Sequence, residues 1–312
     1  MQEILSFSGH QSFPFRNSWL TKGVNHCADD PTLFSRDDAM VTLGVGKNMV
    51  QSIRHWCLAT EALEEDQRIK NNRGRALRPT RLGERIFLVK DGWDPYLEDV
   101  GTLWLIHWLL VTNTERATTW RYAFNNLHQP EFTRTSLEHA LSTFAGKTGN
   151  GRVTPDSLRR DVEVFIRTYA GTESPSRQLL EDSLDCPLVE LGLLLEQEIH
   201  RAYLFVRGPK DSLPDLVLLF ALWDYMRRKP EQHSFAFDDL SYSPLSPGRA
   251  FKLDESSLAE RLERLPDLTD GRWRFSETEG YRQLLTGGAM DGIEFLDRYY
   301  RRATATVERA AS

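Results

Sequence analysis

Helical and strand-like periodicities alternate along this chain in three successive stretches. In the first, from about Asp29 to Lys90, a short polar helix start in SRDDAMVTLG leads to a glycine turn. The segment GKNMVQSIRHWCLATEAL follows, with Met49, Ile53 and Trp56 at i, i+4 and i+7 on one apolar face. The basic stretch QRIKNNRGRALRPT comes next, with Asn-Asn and Arg-Gly turn signals between two expected strands. Helix, tight turn, helix and hairpin is the order of a winged helix, a variant of helix-turn-helix.

The second stretch, from about Leu103 to Gly208, opens on the very apolar TLWLIHWLLV and continues through TTWRYAFNNL and FTRTSLEHALSTFA. In TPDSLRRDVEVFIRTYA, Thr154 is an expected cap, Pro155 takes the first helical position, and Leu158, Val162, Phe165 and Tyr169 form the apolar face. A Ser/Pro-rich loop then precedes IHRAYLFV, which reads as a strand. In the third stretch, from about Asp215 to Leu285, LVLLFALWDYMRR reads as a buried helix. DESSLAERLERLP is a helix capped by Asp254 and stopped at Pro266, and GRWRFSETEGYRQLL reads as a strand and a short helix. The end of the chain, EFLDRYYRRATATVERAAS, is a helix fading into a small-residue tail.

These patterns predict a mainly α fold with small β-hairpins, an α+β chain of tandem winged-helix-like units. An N-terminal arm and winged helix occupy 1–92. A central helical, winged-helix-like unit occupies 93–212. A C-terminal winged-helix-like unit and terminal helix occupy 213–312.

Composition adds limits. The 312 residues, 40% of them hydrophobic, can bury substantial cores, and the net charge of −6 excludes a chain that is basic throughout. Cys27, Cys57 and Cys186 are far apart and form no C-x-x-C, which argues against a disulfide scaffold or zinc knuckle and fits a reducing cytoplasm. The runs LWLIHWLLV and LVLLFALW are too short to span a bilayer, and MQEILSFSGHQ lacks the basic and apolar regions of a signal peptide. A cytoplasmic protein without a membrane partner is expected.

Charge is concentrated locally. Between Gln67 and Arg85 lie Arg68, Lys70, Arg73, Arg75, Arg78, Arg81 and Arg85 against Glu84 alone, so this stretch is +6 and the remainder of the chain −12. A phosphate-contacting wing needs such segregation, because arginine pairs with phosphate bidentately and binding releases counterions. The acidic residues Glu61, Glu64, Glu65 and Asp66 lie just upstream and are expected to stay off the wing tip. On the preceding helix Lys47, Asn48, Gln51, Ser52, Arg54 and His55 flank the apolar face, with donors and acceptors suited to base edges or phosphate. The alternative is an ordinary amphipathic helix beside a solvated charged loop. The DNA-contact candidates are therefore Lys47, Asn48, Gln51, Arg54, His55, Arg68, Lys70, Arg73, Arg75 and Arg78.

Signals for chemistry are sparser. TLGVGKNM is not a phosphate loop, since Val41 stands where the first glycine belongs and Asn48 follows Lys47. Asp91, Asp94, Glu98 and Asp99 could converge on Mg²⁺ in a nuclease, or could simply cap a loop and helix; Asp185 and Glu190 have the same two readings. In FSGHQSFPFRNSWL, His10, Gln11 and Arg16 sit among Phe7, Phe13, Phe15 and Trp19. Such an arm could hold His10 and Arg16 at a phosphate, or could be an aromatic staple with His10 hydrogen-bonded inside the fold.

Six separated motifs carry a resemblance. FSGHQSFPFRNSWLTKG, LFSRDDAMVTLGVGKNMVQSIRHWCLA, DGWDPYLEDVGTLWLIHWLL, LRRDVEVFIRTY, DSLDCPLVELGLL and SPGRAFKLDE together resemble a bacterial domain-of-unknown-function family. Its members are encoded beside PAPS-reductase-like sulfurtransferases and cysteine desulfurases in DNA phosphorothioation and related defence loci. The resemblance implies a role at the DNA backbone, either nicking it or engaging it so that the sulfurtransferase can install sulfur. The alternatives are a non-enzymatic DNA-binding adaptor and a transcriptional regulator of the operon. It also implies double-stranded DNA and the sulfurtransferase as partners, with homo-oligomerisation open. The shared motif positions His10, Arg16, Lys47, Asn48 and Arg54 become candidates for DNA contact or backbone chemistry; with Asp94 from the carboxylate cluster, His10 and Arg16 are the catalytic candidates, and Mg²⁺ is required only if the protein nicks DNA.

Overall fold

Extended backbone at Arg16 gives way to α1 (Asn17–Asp29), which buries Trp19, Leu20, Val24 and Cys27. This computed structural model describes residues 4–148, 153–170 and 186–310. After α1 come α2 (Ala39–Leu43), a left-handed Gly44, and α3 (Lys47–Ala59). The buried face of α3 is Val50, Ile53, Trp56 and Cys57, so Val50 replaces the expected Met49, which is only half-buried.

The antiparallel hairpin that follows differs from the expected one. Its strands are β1 (Leu63–Glu65) and β2 (Leu77–Pro79), with Glu64 opposite Arg78, and residues 66–76 form the connecting loop. Two residues of the acidic run, Glu64 and Glu65, thus lie in strand β1. Glu64 faces Arg78 directly, a cross-strand pairing that a helix-to-turn reading of 61–66 overlooks. Helix α4 (Arg81–Phe87) starts at Thr80, whose hydroxyl accepts the Gly83 N–H.

Helix α5 (Val100–Thr112) is apolar on every side and, apart from Val100, wholly buried; Asp99 caps it through the N–H groups of Gly101 and Thr102. Then come α6 (Thr118–Asn125), β3 (Glu131–Thr133), α7 (Arg134–Thr148) and α8 (Pro155–Tyr169). Leu158, Val162, Phe165 and Tyr169 are all buried on α8, and Thr154 caps it by accepting the Ser157 N–H. The Ser/Pro-rich stretch with Asp185 lies outside the described residues. Strands β4 (Leu194–Gln197) and β5 (Ala202–Phe205) complete an antiparallel sheet of order β3-β5-β4.

The last part repeats that path. Buried helix α9 (Asp215–Met226) precedes β6 (Ser234–Ala236) and the helices α10 (Phe237–Tyr242), α11 (Pro247–Phe251), α12 (Glu255–Glu263) and α13 (Leu265–Leu268). Asp254 caps α12 by accepting the Ser257 N–H. Strands β7 (Trp273–Thr278) and β8 (Tyr281–Thr286) then form a sheet of order β6-β8-β7, and α14 (Gly292–Ala310) follows. The expected strand and short helix in GRWRFSETEGYRQLL are in fact two paired strands. Glu279 and Gly280 both take left-handed φ, 54° and 77°, between the paired Thr278 and Tyr281, as a two-residue hairpin turn requires. Glutamate is not a typical first residue of such a turn, which hid it in the sequence.

The chain divides into two compact units, Met1–Ala123 with Leu127–Phe205, and Phe124–Asn126 with Val206–Ser312. The fold is an α+β mixture of helices and small antiparallel sheets. Among the described residues no helix is long and apolar enough to cross a membrane.

One contact ties α4 tightly to the hairpin. A Cβ at Gly83 would stand 2.0 Å from the Ala62 carbonyl oxygen, a backbone atom that cannot swing away. Gly83→Ala is expected to cost about 2–3 kcal/mol, read as a lower urea midpoint at unchanged slope. An unchanged midpoint would show that α4 packs loosely there.

Candidate nucleic-acid interface

The first turn of α3 leaves Lys47 and Asn48 exposed, and Gln51 continues the same solvent face. The hairpin loop 66–76 stands beside this helix: the Arg54 guanidinium reaches from α3 and donates to the Gly74 carbonyl at 3.0 Å. Arg54 is half-buried, and burial lowers its pKa from the ordinary arginine value.

The loop is braced from within. The Asn72 amide donates to the carbonyls of Asp66 (3.2 Å) and Ala76 (2.7 Å), and its oxygen accepts the Ala76 N–H at 2.6 Å. The Ser35 hydroxyl holds the Arg75 carbonyl at 2.8 Å. Asn71, Arg73 and Gly74 adopt left-handed φ of 58°, 50° and 72°, which the Asn-Asn and Arg-Gly signals anticipated.

The basic residues of this stretch divide into two sets. Arg68 forms a fork on Asp66 (2.8 and 2.7 Å), and this pair holds the Asp66 carboxyl down to about 2. Arg78 pairs across the hairpin with Glu64 at 2.6 Å. Lys70, Arg73 and Arg75 are exposed at the loop tip, and among the described residues no ion pair engages them. The acidic run therefore neutralises the base of the hairpin and leaves the tip cationic.

His55 and Ser52 turn inward, away from the exposed face on which Gln51 lies. His55 is 7% exposed, its Nε2 has no hydrogen-bond partner, and its pKa is pushed down to about 3, first by burial and then by His10, Arg116 and Arg54. The sequence pattern missed this because a histidine beside an apolar stripe looks equally polar on either side of its boundary.

The N-terminal arm is a strap sealed into the fold. The His10 ring is 1% exposed; its Nδ1 accepts the Ser12 N–H at 3.1 Å, so Nε2 carries the hydrogen donated to Asp161 at 3.0 Å. Asp161, also 1% exposed, takes two further donors, the Ser8 N–H (2.6 Å) and the Thr119 hydroxyl (2.9 Å). The Ser52 hydroxyl donates to the His10 carbonyl, and Trp56 Nε1 donates to the Phe13 carbonyl. The Arg16 guanidinium lies over the Phe13 and Trp19 rings at 5.9 and 5.5 Å. Gln11 reaches the exposed face, where its amide donates to Gln51 at 3.0 Å. Asp161, the residue that anchors the strap, drew no notice in the sequence because it lies 151 positions from His10.

Asp94 is structural in its contacts. Its two oxygens accept the N–H groups of Glu98 (2.9 Å) and Asp99 (3.0 Å), while Asp99 is spent on capping α5. Among the described residues no group of three His, Cys, Asp or Glu side chains is arranged to hold a metal ion. His10, Arg16 and Asp94 are thus held by separate partners, and none of the contacts described links one of them to another.

The neutral, buried His55 has a pH consequence. Its folded pKa lies below the ordinary histidine value of about 6.5, so the unfolded chain binds the extra proton between about pH 6.5 and 3. Its contribution to stability is complete above pH 6.5 and is lost as pH falls through that window. His55→Gln is expected to flatten the pH dependence of unfolding free energy there by up to about 1.4 kcal/mol per pH unit. An unaltered slope in urea titrations at pH 4.5 to 6.5 would contradict the assignment.

Comparison with known proteins places the chain. No curated protein matches it. A magnesium ion-bound SspB crystal structure superposes with a TM-score of 0.86 at 30% identity, over 95% of this chain and 88% of that one. A second SspB crystal structure gives 0.84 at 31%, over 96% and 89%. Among the described residues no cluster of three candidate ligands is placed to hold a magnesium ion, and at 91–99 the oxygens of Asp94 and Asp99 accept backbone N–H groups. Residues 7–300 match the family described as "Protein of unknown function (DUF4007)", and the chain belongs to that family.

Proposed function

We propose that this protein is the DNA-engaging component of a bacterial DNA phosphorothioation and anti-phage system, and that it contacts duplex DNA through a winged helix made of α3 and the β1–β2 hairpin. The observation that carries this reading is the braced loop bearing Lys70, Arg73 and Arg75 without intramolecular counter-charges, beside the exposed Lys47, Asn48 and Gln51. Such a loop loses little freedom on meeting a phosphate backbone, because Asn72 and Arg54 have already fixed its path. Similarity to SspB and the family resemblance support the setting. In that setting the bound duplex is held for a PAPS-reductase-like sulfurtransferase to act on.

The division of labour follows from contact type. Lys70, Arg73 and Arg75 serve phosphates and carry no sequence information, whereas Asn48 and Gln51 have the amide groups that read base edges. His10 and His55 support the interface from behind, by holding the strap and the inner face of α3.

A second reading, strand nicking, draws on the magnesium in the related crystal structure. Relaxation of a supercoiled plasmid in Mg²⁺ that disappears in His10→Ala or Asp94→Asn, with folding retained, favours it. Binding without relaxation favours the adaptor.

Duplex affinity as a function of salt tests the main reading. Replacing Lys70, Arg73 and Arg75 together by glutamine is expected to weaken binding about tenfold or more and to reduce the logarithmic salt slope by about one per lost phosphate contact. Arg68→Gln, already occupied by Asp66, is expected to change the slope far less. An unchanged slope in the triple variant would overturn the reading.

A further inference from the structure

The strap carries a polar side chain that the fold does not consume. Two tight turns close around Gln11: its own N–H reaches the Ser8 carbonyl at 3.3 Å, and the Phe13 N–H reaches the His10 carbonyl at 2.9 Å. The Ser52 hydroxyl donates to the same His10 carbonyl at 2.9 Å, which seats residue 10 beside residue 52. The next strap residue then meets the residue before Ser52, and the Gln11 amide donates to Gln51 Oε1 at 3.0 Å. Among the described residues neither amide takes another bond.

This bond does little for the fold. Water reaches both amides, and each would be bonded to water without the other. His10 on Asp161, with Ser52 and Trp56 on the strap carbonyls, already holds the strap against α3. Ser8, Gln11 and Ser12 take left-handed φ of 60°, 51° and 68°. Such φ suits glycine or asparagine, so glutamine at 11 brings no backbone advantage. It adds an amide beside Gln51, on the solvent face that continues from Lys47 and Asn48.

Two amides joined by a single N–H···O bond act as one recognition unit. Gln11 spends an N–H and Gln51 its carbonyl, which leaves the Gln51 N–H donors and the Gln11 carbonyl for a ligand. In the major groove adenine presents an acceptor, N7, beside a donor, the N6 amino group. The pair offers the complement: the Gln51 amide donates to N7 and the Gln11 carbonyl accepts from N6. Guanine sets a second acceptor, O6, against that carbonyl, and cytosine offers only its amino donor. We propose that Gln11 and Gln51 form a base-reading pair that selects adenine, which makes the strap part of the DNA interface. The inference rests on the reading that α3 faces duplex DNA.

Selection from a randomised duplex pool by the full chain tests the pair, with Gln11→Gly and Gln51→Ala as variants. Glycine accepts the left-handed φ at 11 and alanine suits the exposed helix position 51, so both variants keep the strap and α3. The unaltered protein is expected to enrich adenine at one position. Each variant is expected to lose about tenfold of the preference for adenine over guanine there, and the double variant no more than either alone. The salt slope is expected to stay unchanged, because no phosphate contact is lost. In the selected duplex, 7-deazaadenine at that position is expected to weaken the unaltered protein by a similar factor and to leave Gln51→Ala unaffected. Binding with a hairpin-dependent salt slope, but with the same base preference in Gln11→Gly or with no adenine preference at all, would overturn the pair alone. Absence of duplex binding, or a slope that the Lys70, Arg73 and Arg75 substitutions leave unchanged, would overturn the reading beneath it and the pair with it.

Discussion

The Asn72 side chain closes the hairpin loop, and the proposed interface depends on that closure. Its amide joins Asp66 to Ala76 across the loop while Arg54 ties Gly74 to α3. Without these bonds, the eleven loop residues 66–76, carrying four cations, would sample many conformations, and binding would have to order them. With them, Lys70, Arg73 and Arg75 stand ready beside the solvent face of α3. The rest of the N-terminal region supports this arrangement: the strap fixes α3 through Ser52 and Trp56, and Asp161 fixes the strap through His10.

Charge follows the same logic. An anionic chain presents a cationic patch where the neighbouring carboxylates are paired or lie away from it. Asp66 and Glu64 are committed at the hairpin base, to Arg68 and Arg78. This arrangement leaves a small, sharply bounded positive tip, a better device for meeting a phosphate backbone than diffuse basicity.

Much of the architecture was legible in the sequence. Thr154, Pro155 and the i, i+4 pattern of α8 mark that helix at both ends, and Asp254 marks α12. What escaped was non-local or locally atypical. The β7–β8 turn is built on Glu279, which no turn preference flags, and β1 is a three-residue strand of which two residues are glutamate. For the site, the cationic loop was visible as composition, but its internal pairing was not, since ion pairs across a hairpin depend on register. The fate of the opening GHQ was settled by Asp161 on a distant helix: His10 turns in to it while Gln11 turns out toward Gln51.

Amide hydrogen exchange with and without a short duplex tests the central claim most directly. The account predicts added protection concentrated in residues 66–76 and in the first turn of α3, with the strap and α8 unchanged. Protection absent from the hairpin loop, with the duplex bound elsewhere, would contradict it.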